Sequence, residues 1–204
     1  MPPRVSVIIP ALDGDRQGGV ARLERALSRQ SLQDHEVLVV AGVRPQGRAI
    51  NQGAGRARGS ILVVLDDDSS IEDDELLQRL VTTLEGDPEI GMAGASLRPP
   101  AEASRFQRRA ARELPRFHVP VVSQVTDSDL ACHGCAAFPA AAFRAVGGEL
   151  ETLIRGLDPD LRNRLRSAGY RVVLAPEAVV HHPLPATLSQ LAAVFYRNGQ
   201  GSAW

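Results

Sequence analysis

Three consecutive aspartates, Asp66, Asp67 and Asp68, follow directly after the apolar run Ile61–Leu65. In an extended backbone residues two apart face the same side, so Asp66 and Asp68 can converge on one ligand while Asp67 points elsewhere. Two converging carboxylates suit a hard divalent cation, which keeps further positions for water and substrate phosphates. The alternative is that these residues only form a turn and cap a helix. Adjacent carboxylates repel one another, and this cost favours the metal site.

A second acidic pair, Asp158 and Asp160, flanks a proline and precedes several arginines, among them Arg164. An aspartate before a proline favours the start of a helix, and an acid in the first helical turn stabilises the helix dipole. This structural role explains much of the pattern. A carboxylate at the amino end of a helix can also accept a proton from a substrate hydroxyl when that end faces a cleft. Asp158 is therefore a candidate general base.

Two neighbouring histidines, His181 and His182, close a short apolar segment, Ala178–Val180, that has the pattern of a strand. A histidine pair most often belongs to the surface or to polar packing. An imidazole nitrogen is also a ligand for divalent metals, so one of the two could complete the site that the aspartates begin.

The elements that must position these residues alternate between strands and helices in the first half of the chain. The strands are short apolar runs rich in β-branched residues, and the helices carry an apolar face. This alternation predicts an α/β domain with a mostly parallel central sheet flanked by helices, whose ligands bind beyond the carboxyl ends of the strands. The predicted strands are Val5–Ile9, Glu36–Val40, Ile61–Leu65 and Ile90–Leu97, and the predicted helices are Val20–Gln30, Arg48–Arg58 and one that starts at Ser69 and Ser70 and ends at Gly86.

The second half of the chain begins with a charged stretch, Glu102–Arg116, that resembles an insertion. Beyond it the apolar pattern again predicts strands and helices. The last of these helices is amphipathic, which leaves open whether it packs on the domain or lies on a membrane surface. The predicted elements are a β-rich piece at Val119–Val125, the strands Gly134–Phe138 and Tyr170–Leu174, and the helices Ala140–Val146, Asp160–Ala168 and Ala186–Arg197.

The length and composition fit one compact domain. The chain has 204 residues, enough for a substantial core, and its formal net charge of −1 gives no case for binding nucleic acid. No apolar stretch approaches the roughly 20 residues that a membrane-spanning helix needs, and the amino terminus passes straight into a strand. We therefore expect a cytoplasmic protein, with peripheral association at the inner face of the membrane as the alternative.

Taken in order, the motifs resemble those of the inverting family 2 of glycosyltransferases, whose nucleotide-sugar-binding domain has the GT-A fold. Each piece alone is weak, but the ordered series is specific and runs over nearly the whole chain. The resemblance implies one GT-A domain over residues 1–204, with a nucleotide-sugar-binding half (1–98), an acceptor and catalytic half (99–182) and a C-terminal helix (183–204). The matching segments are Val5–Pro10, Ala49–Gly53 with Ala57–Gly59, the D-x-D motif at Leu65–Asp68, Gly134–Phe138 with Val146–Gly148, Gly156–Arg164, and Gly169–Arg171 with Pro176–His182.

The resemblance implies a metal-dependent enzyme of the hexosyltransferase class that moves a sugar from a nucleotide-diphosphate donor to an acceptor hydroxyl with inversion. The acceptor would be a glycan, a lipid-linked molecule or a small molecule, and the cofactor would be Mn²⁺ or Mg²⁺. The position of the general base is matched by Asp158. The metal-binding positions are matched by Asp68, Asp66 and His182, and the donor-binding segments by Asp66, Pro10, Asp13 and Asn51. Further candidates for the site are Asp67, Asp160, Arg164 and His181.

Two departures from the family pattern leave other functions open. Ala41 stands where the family has an acid that recognises the nucleotide base, and Leu157 replaces the glutamate before the catalytic aspartate. These losses favour, as the alternative, a noncatalytic glycosyltransferase-like protein that binds a partner or a glycan. A sugar-phosphate nucleotidyltransferase is a further alternative, but Asp13–Arg16 does not match the glycine-rich, arginine-bearing loop that such an enzyme has after its first strand.

Overall fold

The computed structural model describes residues 1–15, 18–114 and 117–201, and its centre is one seven-stranded sheet. The strands are β1 (Val5–Ala11), β2 (His35–Ala41), β3 (Ile61–Leu65), β4 (Ile90–Arg98), β5 (Thr126–Asp127), β6 (Cys135–Pro139) and β7 (Arg171–His181). They lie side by side in the order β2-β1-β3-β6-β4-β7-β5. Five strands run in one direction, whereas β6 and β5 run in the other. The sheet is thus mostly parallel, as predicted.

The helices flank this sheet and connect its strands. Their bounds are α1 (Gly19–Leu27), α2 (Gln46–Arg56), α3 (Leu76–Gly86), α4 (Arg105–Glu113), α5 (Ala140–Ala145), α6 (Leu157–Ser167) and α7 (Leu188–Gly201). Helix α2 packs against β1 and β2, whereas α3 and α6 pack against β4 and β7. Every residue of β1 and β3 is buried, which is why both runs are almost entirely apolar. Gly53 allows α2 to approach β1 closely, because a Cβ there would lie 2.4 Å from Ile8 Cγ2.

One edge of the sheet combines residues from both strand directions. The carboxyl ends of β1, β3, β4 and β7 meet at this edge because those strands run the same way. Strand β6 lies antiparallel between β3 and β4, with Cys135 opposite Leu65, so its amino end reaches the same edge. Residues that precede β6 therefore lie beside residues that follow β3 and β7, at the place where open α/β sheets bind ligands.

The loop after β3 is hydrogen-bonded to Gly134, which precedes β6, and to the end of β7. The prediction that a helix starts at Ser69 and Ser70 was therefore wrong. Helix α3 begins only at Leu76. Ser69 Oγ instead donates to Gly134 O (3.0 Å), and Ser70 exchanges two backbone hydrogen bonds with His181 at the end of β7 (2.8 and 2.9 Å). Because these groups make tertiary contacts, they do not cap a helix. The bonds bring the aspartate triplet (residues 66–68) beside the end of β7.

The charged stretch Glu102–Arg116 contains a helix, α4, that was not predicted; residues 115 and 116 lie outside the described part. Ser104 and Gln107 form a reciprocal capping box at its start. The Ser-x-x-Gln spacing is the sequence signal for this helix. The prediction of a β-rich piece at Val119–Val125 was wrong, because that segment makes isolated backbone bonds and the only strand in this region is the two-residue β5.

Helix α6 begins three residues earlier than predicted. Gly156 precedes it with a φ of 85°, so Asp158 lies within the first turn and does not cap the helix from outside. The predicted strand Tyr170–Leu174 and the short segment Ala178–Val180 are parts of one strand, β7, which is irregular around Glu177, where φ is 54°. This longer strand carries the chain to the edge where the triplet lies.

The last helix, α7, begins two residues later than predicted and extends further towards the carboxyl end. Residues 202–204 of the predicted C-terminal segment, and Arg16 in the loop after β1, lie outside the described residues. Leu188, Phe195 and Tyr196 of α7 are exposed. In the described ranges no helix has both the length and the apolar character that crossing a membrane requires.

Candidate active site

Two carboxylates and one imidazole meet at the edge of the sheet. Asp66, Asp68 and His182 each offer one ligand atom, and these atoms lie within 4.8 Å of one another. His182 Nε2 lies 3.1 Å from Asp68 Oδ1, while Nδ1 lies 2.9 Å from Pro183 O. A proton on Nδ1 can be donated to that carbonyl, which leaves Nε2 as the nitrogen that faces the carboxylates. The fold thus brings together the three residues that the sequence assigned to a metal.

Negative charge is concentrated in this group. The pKa of Asp66 is raised to about 6, first because the carboxyl is buried and then because Asp68 and Asp158 are nearby anions, whereas His182 acts in the opposite direction. Burial would lower the pKa of His182, but Asp68 and Asp66 outweigh it and raise that pKa. Gln46 Nε2 donates to Asp66 Oδ1 (2.8 Å). A divalent cation would compensate the charge, and two carboxylate oxygens with one imidazole nitrogen fit Mn²⁺ or Mg²⁺.

A cavity of about 660 Å³ opens at this edge. The aspartate triplet borders it, together with Pro10, Asp158 and His182. A smaller cavity of about 180 Å³ shares Asp66, Asp158 and His182 with the larger one. The candidate metal ligands and the candidate base therefore face the same space.

Asp158 is held by a histidine that the sequence analysis did not single out. His133 N donates to Asp158 Oδ1 (2.7 Å), and His133 Nδ1 lies 3.0 Å from the same oxygen. On the other side of the ring, His133 Nε2 lies 2.8 Å from Glu149 Oε1. His133 is 3% exposed and Glu149 is 2% exposed, so both charges are removed from water. We name Glu149, His133 and Asp158 the carboxylate–histidine triad.

Opposite charges within this triad stabilise one another. Burial would lower the pKa of His133, but Asp158 and Glu149 outweigh it and hold that pKa well above its ordinary value. Burial would likewise raise the pKa of Asp158, but the charge and hydrogen bonds of His133, with Arg162 acting in the same direction, lower it to about 2. Asp158 therefore stays ionised throughout the physiological pH range.

The two members of the triad that were missed carry weak sequence signals. His133 precedes β6, and its position at the functional edge follows only once β6 is known to be antiparallel. The apolar pattern of a strand does not reveal its direction. Glu149 follows the glycine pair Gly147-Gly148, and nothing in the sequence marks it, rather than the nearby Glu151, as buried.

Three other predicted site residues support the turn that carries Glu149. Asn51 Nδ2 donates to Glu149 O (2.9 Å), and Asn51 Oδ1 accepts from Glu149 N (2.8 Å). Arg164 Nη1 donates to Gly148 O (2.6 Å), while Arg164 Nη2 pairs with Asp160 Oδ2 (2.7 Å). Neither Asn51 nor Arg164 is among the described residues that line the larger cavity.

Asp13 and His181 also lie apart from the group of metal ligands. Asp13 is exposed in the turn after β1 and is not one of the described residues that border the larger cavity. His181 Nδ1 lies 3.1 Å from Pro99 O, and its Nε2 lies 3.6 Å from Glu72 Oε2. Of the two neighbouring histidines, His182 is therefore the one that offers a nitrogen to the aspartates.

Comparisons with solved structures identify the fold. The mannosyltransferase PcManGT from Pyrobaculum calidifontis, in complex with GDP-Man and Mn²⁺, matches with a TM-score of 0.70 and 18% identity over 99% of this chain and 62% of that one. Residues 1–349 of S. aureus TarS in complex with UDP match with a TM-score of 0.65 and 13% identity over 89% and 60% of the two chains. The chain thus spans about three fifths of the length of these proteins.

A third glycosyltransferase structure agrees with these two. The catalytic domain of Drosophila beta1,4galactosyltransferase 7, in complex with xylobiose, matches with a TM-score of 0.58 and 18% identity over 85% of this chain and 65% of that one. The shared architecture is the GT-A fold, which confirms the predicted fold class.

The sequence itself was also compared with protein families and with curated proteins. No curated protein matches it significantly. The family described as "Glycosyltransferase like family 2" matches residues 2–201, which is nearly the whole chain. The chain therefore belongs to this glycosyltransferase-like family 2, as its motifs predicted.

Proposed function

We propose that the protein is a metal-dependent, inverting glycosyltransferase of the hexosyltransferase class. The observation that carries this proposal is that one cavity is bordered both by a group suited to a divalent cation and by the half-buried Asp158, whose pKa is lowered to about 2. A transferase that releases a diphosphate needs the first, and one that deprotonates a hydroxyl needs the second. Membership of the glycosyltransferase-like family 2 supports the same reaction.

The donor in this proposal is a nucleotide-diphosphate sugar. PcManGT holds GDP-Man and Mn²⁺, and TarS holds UDP, so two proteins of the same fold bind ligands of this class. In this chain Asp66, Asp68 and His182 would hold Mn²⁺ or Mg²⁺. The bound cation would stabilise the negative charge that develops on the departing diphosphate. The acceptor class, a glycan, a lipid-linked molecule or a small molecule, and the cytoplasmic location stay predictions.

Asp158 is the base in the proposed reaction. The acceptor oxygen bonds to the anomeric carbon, the bond between that carbon and the diphosphate oxygen breaks, and the acceptor proton passes to Asp158. Attack from the face opposite the diphosphate inverts the anomeric centre, so one base is sufficient. A carboxylate of low pKa can serve here, because the attacking hydroxyl becomes acidic as its oxygen gains positive charge.

The test is a transfer assay with a panel of nucleotide-sugars in the presence of Mn²⁺ or Mg²⁺. We expect turnover that a chelator abolishes, and Asp68→Asn should lower it by at least about a hundredfold because one of the metal ligands is lost. Asp74→Asn is the matched control, since Asp74 is an exposed aspartate paired only weakly with Arg29 at 3.7 Å. The anomeric configuration of the product, read by NMR, tests inversion. Metal-independent turnover or a retained configuration would contradict the proposal.

A noncatalytic binding function is the second candidate, favoured by one observation. Ala41 is exposed at the end of β2 and offers no acid to the nucleotide base, and Leu157 is buried where the family has a glutamate. Calorimetry with UDP or GDP and Mn²⁺ separates the two functions when combined with the assay. No detectable heat with either diphosphate and no turnover of any donor would favour the noncatalytic protein, whereas turnover would exclude it.

A further inference from the structure

Both ring nitrogens of His133 face carboxylates. Its Nδ1 faces Asp158 Oδ1 at 3.0 Å and its Nε2 faces Glu149 Oε1 at 2.8 Å. A neutral imidazole has one N–H donor, so it would turn a lone pair towards one of the two carboxylates. With both carboxylates ionised, the arrangement therefore favours an imidazolium between them, since a neutral ring would require a proton on Glu149 or Asp158 instead. Asp66 is a further anion that acts on this ring, and Arg162 is the further cation that acts on Asp158.

Glu149 needs this imidazolium in turn. Its side chain is fully buried, and among the described residues His133 is the one cation with which it forms an ion pair. A buried carboxylate without a partner is strongly disfavoured. Since a fold gains little stability from burying such an ion pair, the pair calls for an explanation other than stability.

The turn that carries Glu149 is fixed to the helix that carries Asp158. Arg164, two turns along α6 from Asp158, donates to Gly148 O (2.6 Å). Asn51 binds the backbone of Glu149 on both sides. Gly148 has a φ of 67°, and a Cβ there would lie 2.6 Å from Asn51 Oδ1, so only glycine fits this turn without a shift. The relative positions of Glu149 and Asp158 are therefore held by hydrogen bonds between these two side chains and the backbone of the turn.

Both contacts of His133 with Asp158 fall on the same oxygen. Oδ1 accepts from the backbone N and faces Nδ1, whereas Oδ2 makes no hydrogen bond to a described residue. The side chain of Asp158 is 35% exposed and borders both cavities. One oxygen is thus held in place while the carboxylate keeps a second one for a ligand.

We propose that Glu149 and His133 are positioning residues of the transfer reaction: His133 holds Oδ1 of Asp158, Glu149 keeps the ring charged and oriented, and Oδ2 is left to receive the acceptor proton. This inference rests on the proposed function, because it assigns Asp158 the role of base. Neither His133 nor Glu149 exchanges a proton with substrate.

The first test measures the protonation state of the His133 ring directly and needs no nucleotide-sugar. The ¹⁵N spectrum of the labelled histidines is recorded against pH, and His133 is assigned by its loss in His133→Asn. We expect a His133 imidazolium at neutral pH in the wild type and a ring that loses its proton at lower pH in Glu149→Gln. A neutral His133 at neutral pH in the wild type would overturn the proposal, whether or not a donor has been found.

The second test is kinetic and uses saturating Mn²⁺ and donor. Glu149→Gln and His133→Asn are expected to lower kcat roughly tenfold to a hundredfold, as for other residues that orient a functional group, with the donor KM nearly unchanged. Glu36→Gln is the matched control, because Glu36 is also a mostly buried glutamate in an ion pair (with Arg58, 2.7 Å) but lies at the start of β2.

The pH dependence separates positioning from a purely structural role. Without His133, Asp158 would take up a proton in the mildly acidic range, so the ratio of variant to wild-type kcat should fall further from about pH 7 to about pH 5. Because Asp66 interacts with both His133 and Asp158, Mn²⁺ is kept saturating for each variant at each pH. The double variant His133→Asn/Glu149→Gln removes both charges together and is the substitute if a single variant fails to fold. A ratio that does not change with pH would overturn the positioning role and leave the proposed function intact.

Discussion

Two groups of carboxylates border the same cavity but differ in the cation that compensates their negative charge. The half-buried Asp66 and the exposed Asp68 lie beside His182, whereas Asp158 lies against the ring of His133, whose other side faces Glu149. The pKa of Asp66 is accordingly raised to about 6 and that of Asp158 lowered to about 2. Carboxylates whose pKa values are moved apart in this way usually have different roles. The first group is suited to an added cation, and the second already contains one.

Among the changes that test this difference, replacement of the proposed base Asp158 is expected to have the largest effect on kcat. Asp158→Asn keeps the shape of the side chain but cannot accept the proton, so kcat is expected to fall about a thousandfold, within the range of general-base catalysis. Binding of Mn²⁺, measured by calorimetry, should change little because Asp158 is not a member of the ligand group. A variant that keeps most of its kcat would remove the distinction between the two groups.

Acidification should affect the metal group and leave the triad unchanged. From about pH 7 to about pH 5, Asp66 passes through its pKa of about 6 and takes up a proton that competes with the cation. The affinity for Mn²⁺, measured by calorimetry, is expected to fall about tenfold. The ¹⁵N signals of His133 should stay those of an imidazolium over the same range, since its pKa lies above it. A change in both groups together would contradict their separate titration.

The stability of the protein should also depend on Asp158, with a predictable sign. Its folded pKa of about 2 lies below the ordinary value of 3.8, so the ionised group stabilises the fold above about pH 4 and loses this effect as the pH falls through 2. For a side chain one third exposed, screening reduces the expected contribution to about 1 kcal/mol. Urea unfolding should therefore find Asp158→Asn less stable than the wild type at about pH 7, with the difference shrinking towards about pH 3.

The smallest effect is expected at Gln46, which supports the metal group from α2. Its Nε2 donates to Asp66 Oδ1 (2.8 Å), so Gln46→Ala removes one hydrogen bond that orients this ligand. A net hydrogen bond of this kind corresponds to about a threefold loss of affinity for Mn²⁺. Gln78→Ala is the control, because Gln78 makes an exposed hydrogen bond within α3. An increased affinity would show that Gln46 competes with the cation for Asp66.

The sequence predicted most of the sheet because its central strands β1, β3 and β4 are buried on both faces. Ile61–Leu65 is an example, since an unbroken aliphatic run has few alternatives to a central strand. The region between β4 and β6 was predicted poorly for the opposite reason. Its residues are charged or isolated apolar ones, α4 depends on a capping box, and the backbone bonds of Val119 and Val122 are made to distant strands.

The residues of the candidate site also differ in how far the sequence could predict them. Asp66 and Asp68 were predictable because they follow a strand directly, and their carboxylates do converge. They converge from a turn, closed by Ser69 N donating to Asp66 O, and not from the extended backbone that was expected. His133 and Glu149 were not, because their relation to Asp158 depends on the direction of β6 and on a turn held by Asn51. Such contacts join segments that are distant in the sequence, and no local pattern records them.

The paired backbone bonds between Ser70 and His181 have a consequence for the cation group. Asp68 lies two residues before one end of this bridge and His182 one residue after the other end. The distance between Asp68 and His182 is therefore set by main-chain hydrogen bonds. A substitution removes such a bond only when the donor residue becomes proline. Binding of a cation by these proposed ligands would therefore require little rearrangement and lose little ordering entropy.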